Sequence, residues 1–213
     1  MRLTLNSSLL SCAAAFTGKY GADKGVEIAP LRAGDPESGI TVAAFNRGAV
    51  GMIGYDPRGR GDDSILLFPS SKLTLAAKGI KTGERDICIE GDDVAGLTAR
   101  VTTYYKAHNT HRDFKVSASR DLPCYRPAIA AALDRWGTTP AVSTTAGRYD
   151  LGLLLAAVKA MVEDGDSLVI SGYDGGPLRL QREDLQIVVL LMPQTAQPIP
   201  TAPGWLAEYA AAR

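Results

Sequence analysis

Lys72, Lys78 and Lys81 are the residues whose type and spacing come nearest to chemistry in this chain. They interleave with Leu73, Leu75, Ala76 and Ile80 in a stretch that Pro69-Ser70-Ser71 opens as a helix and Gly79 weakens near its end. One apolar and one basic face usually mean a solvated surface helix. The functional reading is contact with phosphates, which would be independent of base sequence and sensitive to salt, because each neutralised phosphate releases counterions. The loop Asp56–Asp63, DPRGRGDD, poses the same choice for Arg58 and Arg60: a solvated connection, which loop priors favour, or a phosphate contact. Its RGD tripeptide, in a chain without secretory features, is coincidence.

No catalytic constellation emerges. GERD and RED put carboxylates beside arginines, which is ordinary surface pairing. Gly48–Gly54 leads into a strand and lacks the spacing of a phosphate loop. Asp62-Asp63 and Asp92-Asp93 are turn formers before they are cation ligands. Tyr104, Tyr105 and Phe114 could stack on bases, although aromatics at strand edges more commonly pack. With His108 and His111 as the only histidines, and Cys12, Cys88 and Cys124 far apart, no zinc site is expected. The thiols read as buried and reduced. No nucleophile–base pair, cofactor or metal is implied, so a non-enzymatic protein is expected.

These residues must be positioned by a chain of 213 residues, 46% hydrophobic and 22% charged, enough for a sizeable core in one or two domains. Twenty-three basic residues balance twenty-three acidic ones, so any nucleic-acid surface has to be local. No run approaches the roughly 20 apolar residues of a membrane span, and MRLTLNSSLLSCAAAF flows straight into structured pattern. A cytoplasmic protein with no membrane partner is the expectation.

In chain order, Arg2–Leu5 alternates as a strand, and Asn6 or Ser7 caps a helix with Leu9, Leu10, Ala13 and Phe16 on one face. Strands follow at Val26–Leu31, Ile40–Phe45, Ala49–Tyr55, Ser64–Phe68, Asp86–Glu90, Val94–Val101 and Phe114–Ala118, with a hairpin signal at Asn46-Arg47-Gly48. Arg126–Trp136 has the period of a further helix, and residues 137–147 are a Pro/Gly/Thr-rich linker with one strand at Ala141–Thr145. Tyr149–Val162 is a helix whose stripe reads Leu151, Leu154, Leu155, Val158 and Met161 or Val162. Ser167–Ser171, Leu178–Leu180 and Ile187–Leu191 then form an antiparallel meander separated by turn chemistry. Gln194–Pro203 is an extended tail, and Gly204–Arg213 a short helix bearing Trp205, Leu206 and Tyr209.

Two ordered sets of residues carry a family resemblance. The first is Ile40–Phe45, Gly51–Tyr55, Ile65–Phe68 running into the Pro69 helix, the Gly91 hairpin, and Phe114 through Leu122-Pro123-Cys124-Tyr125-Arg126-Pro127. The second is Tyr149, Leu154, Lys159-Ala160, Pro177-Leu178 and Val188-Val189-Leu190-Leu191-Met192-Pro193. Together they resemble the bacterial DNA polymerase III sliding clamp (beta subunit) family, in a divergent and shortened form. The resemblance implies an α+β fold of sliding-clamp architecture, the DNA clamp or processivity fold, with helices packed on antiparallel sheets. Residues 1–127 look like one complete clamp-type domain, 128–193 like a reduced one that has shed its first sheet, and 194–213 like an added tail.

In that family the helices line a central hole and touch phosphates. The resemblance therefore offers Lys72, Lys78, Lys81, Arg126, Arg135, Arg148 and Lys159 as DNA-binding candidates, with Lys19 and Lys24 near the first helix. It offers Leu190, Met192, Pro193 and Gln194 as a peptide-docking site, without the basic residue that follows in the family. The partners implied are duplex DNA, polymerase or other clamp-binding peptides, and copies of the chain itself as a homo-oligomer. Six domains per ring would make that a trimer. Trp205, Leu206 and Tyr209, on a tether spanning roughly 30 Å if extended, could occupy the peptide site themselves. The rival expectation is an adaptor that keeps the fold, forms no ring and binds no DNA.

Overall fold

The computed structural model describes residues 1–19, 21–46, 50–80, 83–92, 96–123, 149–161, 168–172, 176–182 and 186–194. The expected helix at 126–136, the linker at 137–147, the hairpin tip at 47–49 and the tail beyond 194 lie outside these residues.

Strand β1 (Arg2–Asn6) buries Leu3 and Leu5 and leaves Arg2 exposed, as alternation requires. Its last residue, Asn6, is the N-cap of helix α1 (Ser7–Ala14): the backbone is still extended, and the side chain accepts from the Ser8 N–H at 2.9 Å. Leu9, Leu10, Cys12 and Ala13 of α1 are buried, and Phe16 just beyond it as well. Helix α1 touches both sheets and both other described helices, so the core is organised around it. The other two are α2 (Ser71–Ala77) and α3 (Leu151–Met161).

Among the described residues the strands form two antiparallel sheets. The first has five strands. In spatial order these are β5 (Arg60–Gly61), β1, β7 (Glu84–Glu90), β8 (Thr98–Tyr104) and β9 (Asn109–Lys115). The second has eight. In spatial order these are β10 (Ser117–Ser119), β6 (Ile65–Phe68), β2 (Val26–Pro30), β3 (Ile40–Asn46), β4 (Val50–Asp56), β13 (Ile187–Leu191), β12 (Leu178–Arg182) and β11 (Val169–Ser171). The join between β4 and β13, with Met52 opposite Val189, brings early and late parts of the chain into one sheet. Ile28, Val42, Met52, Leu180 and Val189 are buried on its inner face.

Three local expectations are corrected. The single strand read at Phe114–Ala118 is two, broken at Val116: this residue is buried and its N–H donates to the Leu97 carbonyl at 3.1 Å, which turns the chain from the five-stranded sheet into the eight-stranded one. The loop Asp56–Asp63 is more than a solvated connection, because Arg60 and Gly61 pair with Thr4 and Leu3 of β1. A Cβ on Gly61 would stand 2.2 Å from Leu3 Cδ2, so only glycine lets this short strand approach. The stripe expected on α3 is rotated. Ala157 and Met161 are the buried residues, with Leu153, Leu154 and Val158 packed beside them, whereas Leu151 and Leu155 are 67% and 49% exposed.

Of the thiols, Cys12 is buried and burial pushes it up to about 12, Cys88 is half-buried, and Cys124 lies outside the described residues. No described helix is long and apolar enough to cross a membrane.

Candidate functional site

Helix α2 is the element that positions the lysines. Ser70 is its N-cap, extended in backbone, with Oγ accepting from the Leu73 N–H at 3.2 Å. Leu73 and Ala77 are buried, and this places Lys72 in solvent; Lys78, the C-cap residue, is exposed as well. Leu75, expected on the apolar face, is instead 73% exposed. The helix is fastened at its far end from two directions. Buried Ser7 of α1 donates its hydroxyl to the Ala77 carbonyl at 2.8 Å. Arg85 of β7 donates from Nη1 to the Ala76 and Lys78 carbonyls at 3.1 and 2.7 Å, and from Nε to Thr103 Oγ1 at 2.9 Å. A cation on the last carbonyls of a helix satisfies groups that have no partner within it and complements the helix dipole. Sequence reasoning missed this role, because GERD reads as a surface charge cluster.

Lys159 is exposed in the last turn of α3. That helix is held by a similar device: Arg182 of β12, 7% exposed, donates to the Met161 carbonyl. Lys81, Arg126, Arg135 and Arg148 lie outside the described residues. Lys72 and Lys78 are therefore the pair of DNA-binding candidates that the structure places on one element, with Lys159 on a second.

The loop arginines are engaged elsewhere. Arg58 is 3.6 Å from Glu84, and Arg60 is 2.6 Å from Glu37 while also donating to the Pro57 and Gly59 carbonyls. Asp56, 6% exposed, accepts from the Asn6 and Arg58 backbone N–H groups at 2.7 and 2.9 Å, so the loop is anchored beneath α1. Asp62 accepts from the Arg2 N–H, and Asp63 pairs with Arg120 at 2.5 Å. Both aspartates thus have structural partners. Among the described residues there is no group of three His, Cys, Asp or Glu side chains that could hold a metal.

Strand alternation sorts the five-stranded sheet into two faces. Arg100 and Asp113, cross-strand partners on the face away from α2, form a two-pronged pair at 2.8 and 3.1 Å. The Arg100 guanidinium holds the Asp113 carboxyl below the usual carboxylate range. Arg112 and Phe114 lie on the other face, opposite buried Val101 and Ala99. Arg112 is a cation on the helix side of the sheet that sequence reasoning did not single out, because the strand that carries it, β9, was not read as one before Phe114. Tyr105 stacks on His108, ring centroids 5.0 Å apart, inside the β8–β9 turn.

The peptide-site candidates gather at the end of β13. Leu190 is half-buried on the face opposite buried Val189 and Leu191, Met192 is 45% exposed, Pro193 half-buried and Gln194 exposed. Leu190 lies opposite Gly51 of β4, and the Phe45 ring covers that glycine: a Cβ there would sit 2.2 Å from Phe45 Cδ1. Phe45 is thus an apolar neighbour of the site that the sequence did not reveal.

The architecture defines an α+β class in which three described helices pack with two antiparallel sheets. It has a counterpart among solved structures: DNA polymerase III subunit beta from Borrelia burgdorferi, solved with a natural product, matches with a TM-score of 0.55 and 11% identity over 92% of this chain and 63% of that one. A candidate DNA polymerase III beta subunit from Eubacterium rectale ATCC 33656 gives a TM-score of 0.49 and 8% identity over 92% and 66%. The chain therefore has the sliding-clamp fold, and it spans 63% of the length of the Borrelia chain. No family model and no curated protein matches it.

Proposed function

We propose that this chain is a DNA sliding clamp-like or clamp-derived accessory protein of DNA replication, organised as a complete unit at residues 1–127, a reduced one at 128–193 and a tail at 194–213. Duplex DNA is held through its backbone by Lys72, Lys78 and Lys81, with Arg126, Arg135, Arg148 and Lys159 as further phosphate contacts, so that binding is independent of base sequence. Partner peptides dock at Leu190, Met192, Pro193 and Gln194, where an exposed Met can adapt to varied side chains. The observation that carries this reading is the clamp fold, combined with lysines that stand in solvent at both ends of α2.

A second reading is an adaptor that forms no ring and binds no DNA. It is supported by the even charge and by the ion pairs that occupy Arg58, Arg60, Arg100 and Arg120. Retention on a random-sequence duplex at low salt separates the two. Wild-type protein is retained under the first reading, and Lys72→Glu, Lys78→Glu and Lys81→Glu together abolish retention and flatten its salt dependence. Wild-type protein that passes through unretained favours the adaptor.

A further inference from the structure

Helix α3 turns an apolar face to solvent. Leu151, Gly152, Leu155, Ala156 and Lys159 are exposed, whereas Ala157 and Met161 are buried. At the middle of this face stands Leu155, with the small residues Gly152 and Ala156 beside it and Lys159 one turn further on. Of the nine large apolar side chains exposed among the described residues, five (Leu151, Leu155, Val169, Ile170 and Met192) belong to α3, β11 and the end of β13. Apolar exposure concentrated in this way marks a contact surface, where scattered exposure would need no explanation. The described residues supply no ion-pair partner for Lys159.

The chain's own end matches this face in reach and in charge. Helix α3 packs on β13, the strand from whose end the last residues leave. The outward face of a helix stands about one helix diameter, roughly 10–12 Å, above the sheet that carries it. Residues 195–203 include Pro198, Pro200 and Pro203 and span roughly 28 Å when extended, more than enough to pass around α3. Beyond them, Trp205, Glu208 and Tyr209 have the spacing that puts three side chains on one side of a helix. Glu208 is the one carboxylate side chain of residues 195–213. The end of β13, with Leu190, Met192, Pro193 and Gln194, has no cation to meet it, whereas α3 sets Lys159 one turn from Leu155.

We infer that residues 204–213 dock on the outward face of α3 in their own chain, with Trp205 and Tyr209 against Leu155 and Glu208 beside Lys159. The indole of Trp205 lies over Gly152 and Ala156, where no large side chain stands in its way. Two helices that cross touch over about one or two turns, so Leu151, a turn nearer the N-terminus, stays at the rim. The docked tail covers Lys159. This goes beyond the proposed function, and its test uses no DNA, so that either can fail without the other.

The full chain carrying p-benzoylphenylalanine in place of Tyr209 is irradiated at low concentration, digested with trypsin and analysed by mass spectrometry. The expected product is a monomer in which position 209 is joined to the peptide containing residues 149–159. Leu155→Glu lowers the yield about tenfold or more, as loss of a central apolar anchor implies. Lys159→Glu lowers it about two- to fivefold, as reversal of an exposed ion pair implies, and Glu208→Lys in the same chain restores it. Leu151→Gln leaves it unchanged. All three α3 positions are exposed, and an unchanged circular dichroism spectrum verifies that the variants fold. An adduct confined to residues 183–213 would put the tail at the peptide site and overturn the inference. So would a covalent dimer, which would put it on a second copy, an adduct elsewhere or none at all, or an equal yield from Leu155→Glu.

Discussion

Replacing Arg85 with Met tests whether α2 is fastened as described. The substitution keeps most of the aliphatic stem and removes three donated bonds, to the Ala76 carbonyl at 3.1 Å, the Lys78 carbonyl at 2.7 Å and Thr103 Oγ1 at 2.9 Å. Bonds from a charged donor contribute about 1.5–3 kcal/mol each when shielded, and much less in water. The bond to Lys78 is exposed and the other two are part-buried, so the net loss comes to about 2–3 kcal/mol rather than the full sum. For a chain of this length that lowers the melting temperature by roughly 4–12 °C. Urea unfolding followed by circular dichroism should show a lower midpoint at unchanged slope. Arg85→Lys should recover only part, because one ammonium cannot span three acceptors in two elements. A change below about 0.5 kcal/mol for Arg85→Met, the size of an ordinary surface substitution, would refute the reasoning.

The orientation of α3 gives a second expectation: Leu151→Gln, at an exposed position, shifts the urea midpoint by less than about 0.5 kcal/mol, whereas Met161→Ala, buried, costs about 2–4 kcal/mol; equal costs would restore the stripe read from sequence. A third concerns pH. Burial raises the Asp86 carboxyl, Arg58 opposes this, and Asp56 and Glu84 add to it. A carboxyl raised in the folded state binds its proton more tightly there, so its favourable contribution is present below the unfolded value of about 3.9 and is lost as pH rises through the folded value. Asp86→Asn should therefore be more stable than wild type at neutral pH, with the advantage shrinking as pH falls; urea midpoints across that range check the sign.

Local features of the fold were legible in the residues. Asn6 and Ser70 are caps because short oxygen-bearing side chains can reach the free N–H groups of the first turn, and both act so. Hairpin neighbours such as β3 and β4 follow from alternation between turns. Pairings such as β1 with β7 and β4 with β13 do not, because nothing local marks which distant strand fills an open edge. The face of α3 was misread for a related reason: LGLLLAAVKAM is apolar nearly all round, so its period fits more than one stripe and tertiary packing chooses. The strand β5 was invisible because its signal is the absence of a side chain at Gly61.

The candidate site was legible in part. Interleaved lysines identified α2, and the structure leaves Lys72 and Lys78 in solvent. Arg85 and Arg112 could not be sorted from other arginines until the sheet fixed which way each strand faces. One carbonyl-bonding arginine and one free arginine look alike in a sequence.

The most direct test of the central claim is the affinity of the wild-type chain for a labelled random-sequence duplex across a range of salt concentrations. A protein that grips the backbone through three to seven of the cations named here should bind at low salt and weaken steeply, with log K falling against log salt at a slope of roughly −3 to −6, about −0.9 for each phosphate neutralised. No binding at about 50 mM salt, or an affinity indifferent to salt, would contradict it.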